Sequence, residues 1–541
     1  MTTPTSPGFL DTSAGTLTLP ALVDRAANAW PEDIALQFDA SGTVLTFADL
    51  ATKVRAAACG LEHALGVGRG GHVALMLGNV PEFPIAWLAI ATLGGVAVPV
   101  NAHLRQSDLE AVLTRTELRA VVTEEIHREA VAAVSPAVPV VTIDGTEIDA
   151  LSWPSILELA AFPRPDHARA TVRPEDVVNV QFTSGSTGQS KGCVLTHAYW
   201  VEIARTMATS GPRLSRDDVL LTAQPFYYMD PMWNLATALA LGCRLVVADR
   251  FHPRTFWGMV RRHRVTYFYC LGVMPAMLLL TDEDLQEQDN DVRYISCSAI
   301  TAGRHEALES RYGAPWYELY GSTETGIDIM VEPEDHNRAV ATGSIGTVVP
   351  GRELRILDPD TRETVQRGQR GVLHLRGTFM SEGYLSDSDA NMKAFSAGWY
   401  ATGDLGSQDE DGFVFFHGRI KDMIRRSGEN VSAAQVEEVL NAHPDVDLSA
   451  CIAVVDDLRG EEIKAYVVTP RAPAELLNDL IEHATQHLAY FKIPRYWEVR
   501  DQLPLTPSAK VSKPTLRAEI DRSTSFDRQT GKWGRSPPAT S

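Results

Sequence analysis

From Trp233 to Ala248 the chain reads WNLATALALGCRLVVA, with apolar positions at helical spacing, a glycine, and then an apolar run of strand length. Phe83 to Val100 (FPIAWLAIATLGGVAVPV) has the same order and predicts a buried helix, a turn at Gly94-Gly95 and a buried strand. FWGMVRRHRV followed by YFYCL adds another helix and strand. Helices alternating with wholly apolar strands predict parallel sheets covered on both faces, an α/β fold. This large N-terminal domain of layered α/β sheets is expected to span 15–418. Within it, Gly343 to Arg376 carries short β runs (LRILD, VLHLR) split by Gly, Pro and Asp, which predicts a small β subdomain.

After GFVFFHGRIKDMI the pattern changes to a helix (SAAQVEEVLNAH), two strands (LSACIAVV, IKAYVVT) and an amphipathic helix (ELLNDLIEHATQHL). That order predicts a small, mobile α+β domain over 419–520, joined near Gly418. Residues 521–541 are polar and rich in Ser, Thr, Gly and Pro, and are expected to be a disordered tail.

A length of 541 residues independently calls for at least two compact units. The net charge of -20 argues against a broad nucleic-acid or anionic-membrane surface, while leaving room for a local basic patch. Phe83 to Val100 is uncharged over nearly a bilayer's length, but Pro84, Gly94, Gly95 and Pro99 break it, so no membrane span is expected. The start, MTTPTSPGFLDTS, lacks a basic region followed by an apolar stretch and does not read as a secretory signal. Six cysteines scattered without CxxC pairs read as core thiols in a reducing compartment, giving a cytoplasmic expectation.

Behind the strand-like VVNVQF lies Thr183-Ser184-Gly185-Ser186-Thr187-Gly188-Gln189-Ser190-Lys191-Gly192. Glycines let the backbone approach a polyphosphate, hydroxyls and free N–H groups donate to its oxygens, and Lys191 adds charge. Ser190 precedes the lysine and Gly192 follows it, which departs from the Walker A pattern and disfavours a P-loop NTPase.

Further along stand Tyr320-Gly321-Ser322-Thr323-Glu324, Tyr400-Ala401-Thr402-Gly403-Asp404, Gly418-Arg419-Ile420-Lys421-Asp422, Ser427-Gly428-Glu429-Asn430-Val431-Ser432 and Thr506-Pro507-Ser508-Ala509-Lys510. With the glycine-rich loop, their order and spacing resemble the adenylate-forming superfamily of acyl-CoA synthetases, luciferase-like enzymes and adenylation domains, over roughly residues 20 to 517. FHPRTFWGMVRRHRVT and KDMIRRSGENVS are most similar to the crotonobetaine/carnitine-CoA ligase branch.

The resemblance implies ATP-dependent activation of a carboxylic acid as an acyl-adenylate, with Mg2+ and pyrophosphate release, then transfer to a thiol after the small domain turns about a hinge at Lys421. Glu324 would ligate magnesium, Thr323 would donate to the α-phosphate, Asp404 would accept from the ribose hydroxyls, and Tyr320 would face the adenine. Arg419 would be a second ribose or phosphate contact, and Lys510 would reach the α-phosphate and carboxylate. Such chemistry brings two anions together, so cationic and hard-oxygen groups are what it requires.

Tyr228, Met229, Asp230 and Trp233, with Ala299 and Gly321, fall where the family builds its acyl pocket. Tyr228 stands where many relatives have histidine, and the crowding favours a small or aromatic acid; the same aromatics could equally fill core. An unpaired buried Asp230 is costly, so it is a candidate to recognise an amine or quaternary ammonium. Ser427, Gly428 and Glu429 would lie near the thiol's approach, with Arg425-Arg426 available for CoA phosphates or simply solvated.

CoA is the simpler acceptor, while a separate carrier protein, an amine or an unusual oxyacid stays open, as does a homo-oligomer. A nucleotide-binding module without catalysis is the reading from another class. Together Glu324, Asp404, Arg419 and Lys510 weigh against it.

Overall fold

The computed structural model describes residues 14–104, 106–145, 151–159, 171–183, 190–271, 273–284, 286–298, 300, 302–426, 429–456, 459–471, 473–506 and 510–534. Among these the strands form four sheets. One has six strands in the order Val140–Thr142, Leu118–Thr123, His72–Met76, Val96–Pro99, Val177–Thr183 and Lys191–Thr196, all parallel except the last pair. A nine-stranded sheet has a parallel centre built from Trp316–Ser322, Tyr294–Cys297, Tyr267–Cys270, Val219–Thr222, Arg244–Val247 and Ile34–Phe38.

The helices Phe47–Leu65, Glu82–Thr92, His197–Thr209 and Met229–Leu241 contribute to one core shared with strands of both sheets, where Trp87, Trp200 and Tyr199 are fully buried. Helices enclosed in this way can be apolar all round, which is why the stretches from Phe83 and from Trp233 look membrane-like in sequence. Among the described residues no helix is long and apolar enough to cross a membrane. Gly242 ends the helix Met229–Leu241 at φ 78°, and a Cβ there would come within 2.5 Å of the Trp30 ring, so both backbone and space call for glycine.

The expected β subdomain is a five-stranded antiparallel sheet, longer than the sequence pattern indicates because Trp399–Gln408 and Val414–Arg419 join Arg352–Leu357 and Gly371–Gly377. Beyond it, a seven-stranded sheet with the helices Ala433–Asn441 and Pro473–His487 makes the small α+β domain around a separate core.

The disordered-tail expectation needs correction. Residues 526–533 form a hairpin, Phe526–Asp527 with Lys532–Trp533, that pairs antiparallel with Tyr496–Val499. Phe526 meets Trp533 at 5.6 Å, and Arg495 pairs with Asp527 at 3.1 Å. Two aromatic side chains and a charge matched to the sheet outweigh the polar composition of the segment. Residues 535–541 lie outside the described set.

Candidate active site

The glycine-rich segment connects two antiparallel strands, with Thr183 opposite Lys191. Ser184, Gly185, Ser186, Thr187 and Gly188 lie outside the described residues, so the structure speaks to the two ends of this loop. At its far end Arg115 donates to the Ser190 carbonyl, and the Lys191 ammonium lies 4.6 Å from the centre of the Tyr384 ring. The backbone at Glu382 and Leu385 pairs with Val194 and Gly192, which fixes Tyr384 against the lysine-bearing strand.

Tyr320 to Ser322 end the strand Trp316–Ser322, which turns back antiparallel into Gly326–Met330. At Gly321 a Cβ would sit 2.1 Å from the Gly326 carbonyl oxygen, so this turn closes only with glycine. The Thr323 carbonyl accepts from the Tyr199 hydroxyl at 3.0 Å, and Glu324 is 9% exposed with its Oε1 accepting from the Tyr384 hydroxyl at 2.8 Å. Phe395 packs against both Tyr384, at 5.8 Å, and Tyr400, at 5.1 Å, joining two of the sequence motifs through side chains. Beneath the turn Arg352 donates to the Thr325 carbonyl at 2.6 Å and faces the buried Asp328 at 3.2 Å.

Asp404 and Arg419 are cross-strand partners in the small β sheet. Asp404 Oδ2 accepts from the Tyr320 hydroxyl at 2.7 Å; its buried Oδ1 faces Arg419 Nε at 3.0 Å yet receives no well-aligned hydrogen bond. Burial pushes the Asp404 carboxyl up, and Arg419, Tyr320 and Lys510 pull it back. Lys510, on the small domain, is thus within electrostatic range of Asp404. Its side chain is solvent-exposed, and the surrounding protein, then repulsion from Arg419, lowers its ammonium pKa, with Asp404 opposing. Lys421, exposed in the short helical turn Ile420–Asp422, is lowered by partial loss of hydration and by Lys191 and Arg419.

Cations from three segments, Lys191, Arg419 with Lys421, and Lys510, are thus linked electrostatically, Lys421 to Lys191 and Arg419, and Lys510 to Arg419, in a chain whose net charge is -20. A buried carboxylate oxygen without a hydrogen-bond donor stands among them. That combination suits a polyanion bearing hydroxyls.

The residues expected around an acyl group are tied to the strand that enters the glycine-rich loop. Gln181 Nε2 donates to the Tyr227 carbonyl at 2.6 Å, tying the strand that leads into the glycine-rich loop to Tyr227-Tyr228. Trp233 meets Tyr269 edge-on at 5.2 Å, and the Tyr269 hydroxyl pairs with Ser298 Oγ at 3.0 Å. Among the described residues the Tyr228 hydroxyl and Trp233 Nε1 are buried without hydrogen-bond partners, and Met229 is half-buried. Asp230 is 3% exposed; Oδ2 accepts from Thr222 at 3.0 Å, Oδ1 has no hydrogen-bond partner among the described residues, and burial drives its carboxyl far up. Ala299 lies outside the described residues.

On the small domain Glu429 is exposed and begins the strand Glu429–Ser432, while Ser427 and Gly428 are not described. Arg425 is exposed, but Arg426 is 4% exposed and pairs with buried Glu462 at 2.6 Å, so the reading of Arg426 as a free phosphate contact is corrected. Residue-type reasoning missed Tyr384, whose position between Lys191 and Glu324 follows from strand pairing rather than from a motif.

The AMP-binding enzyme family model matches residues 23–385, and that of the AMP-binding enzyme C-terminal domain matches 435–510. A crotonobetaine/carnitine-CoA ligase of Salmonella arizonae is 29% identical over 511 residues, covering 91% of this chain and 98% of the relative. A 4-coumarate-CoA ligase of Oryza sativa subsp. japonica is 29% identical over 492 residues, covering 89% of this chain and 88% of the relative. The crystal structure of the anthranilate CoA ligase AuaEII with anthranoyl-AMP shares the fold, with a TM-score of 0.85 at 24% identity over 94% of this chain and 98% of that one. With its site built from these motifs and both family models matched in order, the chain belongs to the AMP-binding enzyme family, as an AMP-forming enzyme of the acyl-CoA synthetase type.

Proposed function

We propose that the protein condenses a small or aromatic carboxylic acid with ATP to give an acyl-adenylate and pyrophosphate, and then passes the acyl group to CoA. The grouping of Lys191, Arg419, Lys421 and Lys510 near an Asp404 oxygen that faces Arg419 without accepting a hydrogen bond carries this reading. Asp404 accepts from the ribose hydroxyls and Tyr320 offers its ring to the base. The described ends of the glycine-rich loop, Thr183 and Lys191, hold the phosphates together with Arg419.

Lys510 lies where negative charge grows as the carboxylate oxygen bonds to the α-phosphorus and the bond to pyrophosphate breaks. Thr323 donates to the same phosphate. Glu324, a hard oxygen donor oriented by Tyr384, suits Mg2+, which neutralises charge on the phosphate oxygens. In the second step a thiolate attacks the acyl carbonyl and AMP leaves, with the small domain turned about Lys421. Glu429 lies along the thiol's path.

Trp233 against Tyr269 supports a short or planar acyl group. Asp230 holds its proton when no cation is present and would pair with a substrate ammonium. Asp230→Asn kinetics on matched amino and non-amino acids test this, and unchanged preference sinks it. A cytoplasmic location suits five buried free thiols and a half-buried Cys59.

One observation favours a second acceptor. With Arg426 neutralised by Glu462, only Arg425 of the basic pair remains for CoA phosphates, which keeps a carrier-protein thiol or an amine in play. Mass spectrometry of AMP and acyl products from Mg·ATP, with a panel of acids and with or without CoA, separates the readings. Acid-dependent acyl-CoA supports the first; acid-dependent AMP that ignores CoA moves the acceptor elsewhere. Nucleotide binding without acid-dependent AMP or pyrophosphate exchange overturns both.

A further inference from the structure

Away from the nucleotide site, His305 and Glu309 lie one turn apart on the helix Ala302–Tyr312, and His336 begins the helix His336–Thr342. Glu309 Oε1 is 2.6 Å from His336 Nε2 and 3.3 Å from His305 Nε2, and all three ligand atoms lie within 4.8 Å of one another. Among the described residues this is the one group of three or more His, Cys, Asp or Glu side chains so converged.

We propose that His305, Glu309 and His336 form a binding site for a divalent cation of Zn2+ type, separate from the adenylation centre. Two imidazoles and a carboxylate are a donor set Zn2+ accepts, with water in the fourth position. Bonds of about 2.0–2.1 Å place tetrahedral donors about 3.3 Å apart, the present His305–Glu309 spacing. The His336–Glu309 contact has to open slightly and the two imidazoles have to approach.

His336 already has the outer partner a metal-bound imidazole needs. Its Nδ1 faces Asn337 Oδ1 at 3.4 Å, so the ring can keep its Nδ1 proton there and give up the Nε2 proton to solvent as the cation binds. His305 Nε2 is 2.6 Å from the Trp316 carbonyl; it must likewise lose its Nε2–H, leaving that carbonyl beside the ion. His305 is buried, while the Glu309 and His336 side chains are 24% and 18% exposed, which gives the ion a path in. Trp316 starts the strand that ends at Ser322, so a bound ion would brace two helices against the base of the strand carrying Tyr320.

The full-length protein is incubated with ZnCl2, desalted and assayed for metal by mass spectrometry, and Co2+ is used as a visible-absorption probe. One zinc per chain and the intense bands of four-coordinate Co2+ are expected, with affinity falling at least tenfold in His336→Ala and in Glu309→Gln. Glu309→Gln keeps an acceptor for the Trp316 N–H, and circular dichroism verifies that both variants fold. The imidazole rings of His443, His483 and His487 also cluster, at 5.3 and 4.4 Å, so His483→Gln is the control and should still hold one zinc. Absence of saturable binding, retention of zinc by both folded variants, or loss confined to His483→Gln overturns the proposal and leaves the three side chains as a hydrogen-bond hub.

Discussion

Lys510 and Asp404 lie in different domains yet interact electrostatically, and this makes their substitutions distinguishable. Lys510→Ala removes the charge that faces Asp404 and Arg419. It is expected to abolish adenylation while transfer from a supplied acyl-adenylate continues; equal loss of both half-reactions would refute that division of labour. A second residue, His197, reports on stability rather than chemistry. It is fully buried, its Nδ1 accepts the Leu19 N–H at 3.3 Å, and burial lowers its pKa to about 4. The unfolded chain takes up a proton near 6.5 and the folded one only near 4. His197 therefore contributes stability that is present above the higher value and lost as the pH falls between them, up to about 3 kcal/mol. Thermal melts across that window should steepen toward acid, and His197→Gln should flatten them; identical pH profiles would show that other groups govern acid unfolding.

At the level of elements, the turn between Trp316–Ser322 and Gly326–Met330 and the strand Lys191–Thr196 meet through one side chain, Tyr384. Tyr384→Phe keeps the ring over Lys191 and removes the hydroxyl that orients Glu324. The Mg2+ concentration for half-maximal adenylation should rise ten- to a hundredfold at nearly unchanged KM for the acid. An unaltered Mg2+ requirement would mean that Glu324 needs no such orientation. None of this was legible in the motifs, because Tyr384 reaches Glu324 across sixty residues of chain through the pairing of its backbone with Gly192 and Val194. What was legible followed from local rules: the helix, glycine, strand order at Trp233 to Ala248, and the helix and strands after Gly418. Arg426 misled for the opposite reason, since a basic pair reads as exposed until Glu462 arrives from a neighbouring strand. His305 and Glu309 have a legible one-turn spacing, but His336 comes from another helix.

Across the whole molecule, the two domains also touch away from the proposed nucleotide site. Arg304 Nη2 donates to the Asp447 carbonyl at 2.7 Å, beside a cavity of about 770 Å³ lined from both domains by residues including Leu279, Arg304, Val439 and Pro444. A charged hydrogen bond of this kind is worth about 1.5–3 kcal/mol, enough to bias which arrangement of the domains is populated. Arg304→Ala should slow adenylation about tenfold while transfer from supplied adenylate is unchanged or faster. Slowing of both steps alike would assign Arg304 to stability alone.

The hairpin Phe526–Asp527 and Lys532–Trp533 has a consequence for the chain as a polymer in solution. Without it Tyr496–Val499 would be a bare edge strand, with its N–H and C=O groups and the flank of fully buried Trp497 open to any other extended chain. A protein cut after Arg517, where the family motifs run out, is therefore expected to self-associate. Light scattering should show concentration-dependent oligomers for the shortened chain under conditions where the full-length chain scatters as one fixed species. Equal scattering masses for the two would mean that the hairpin is dispensable as a shield.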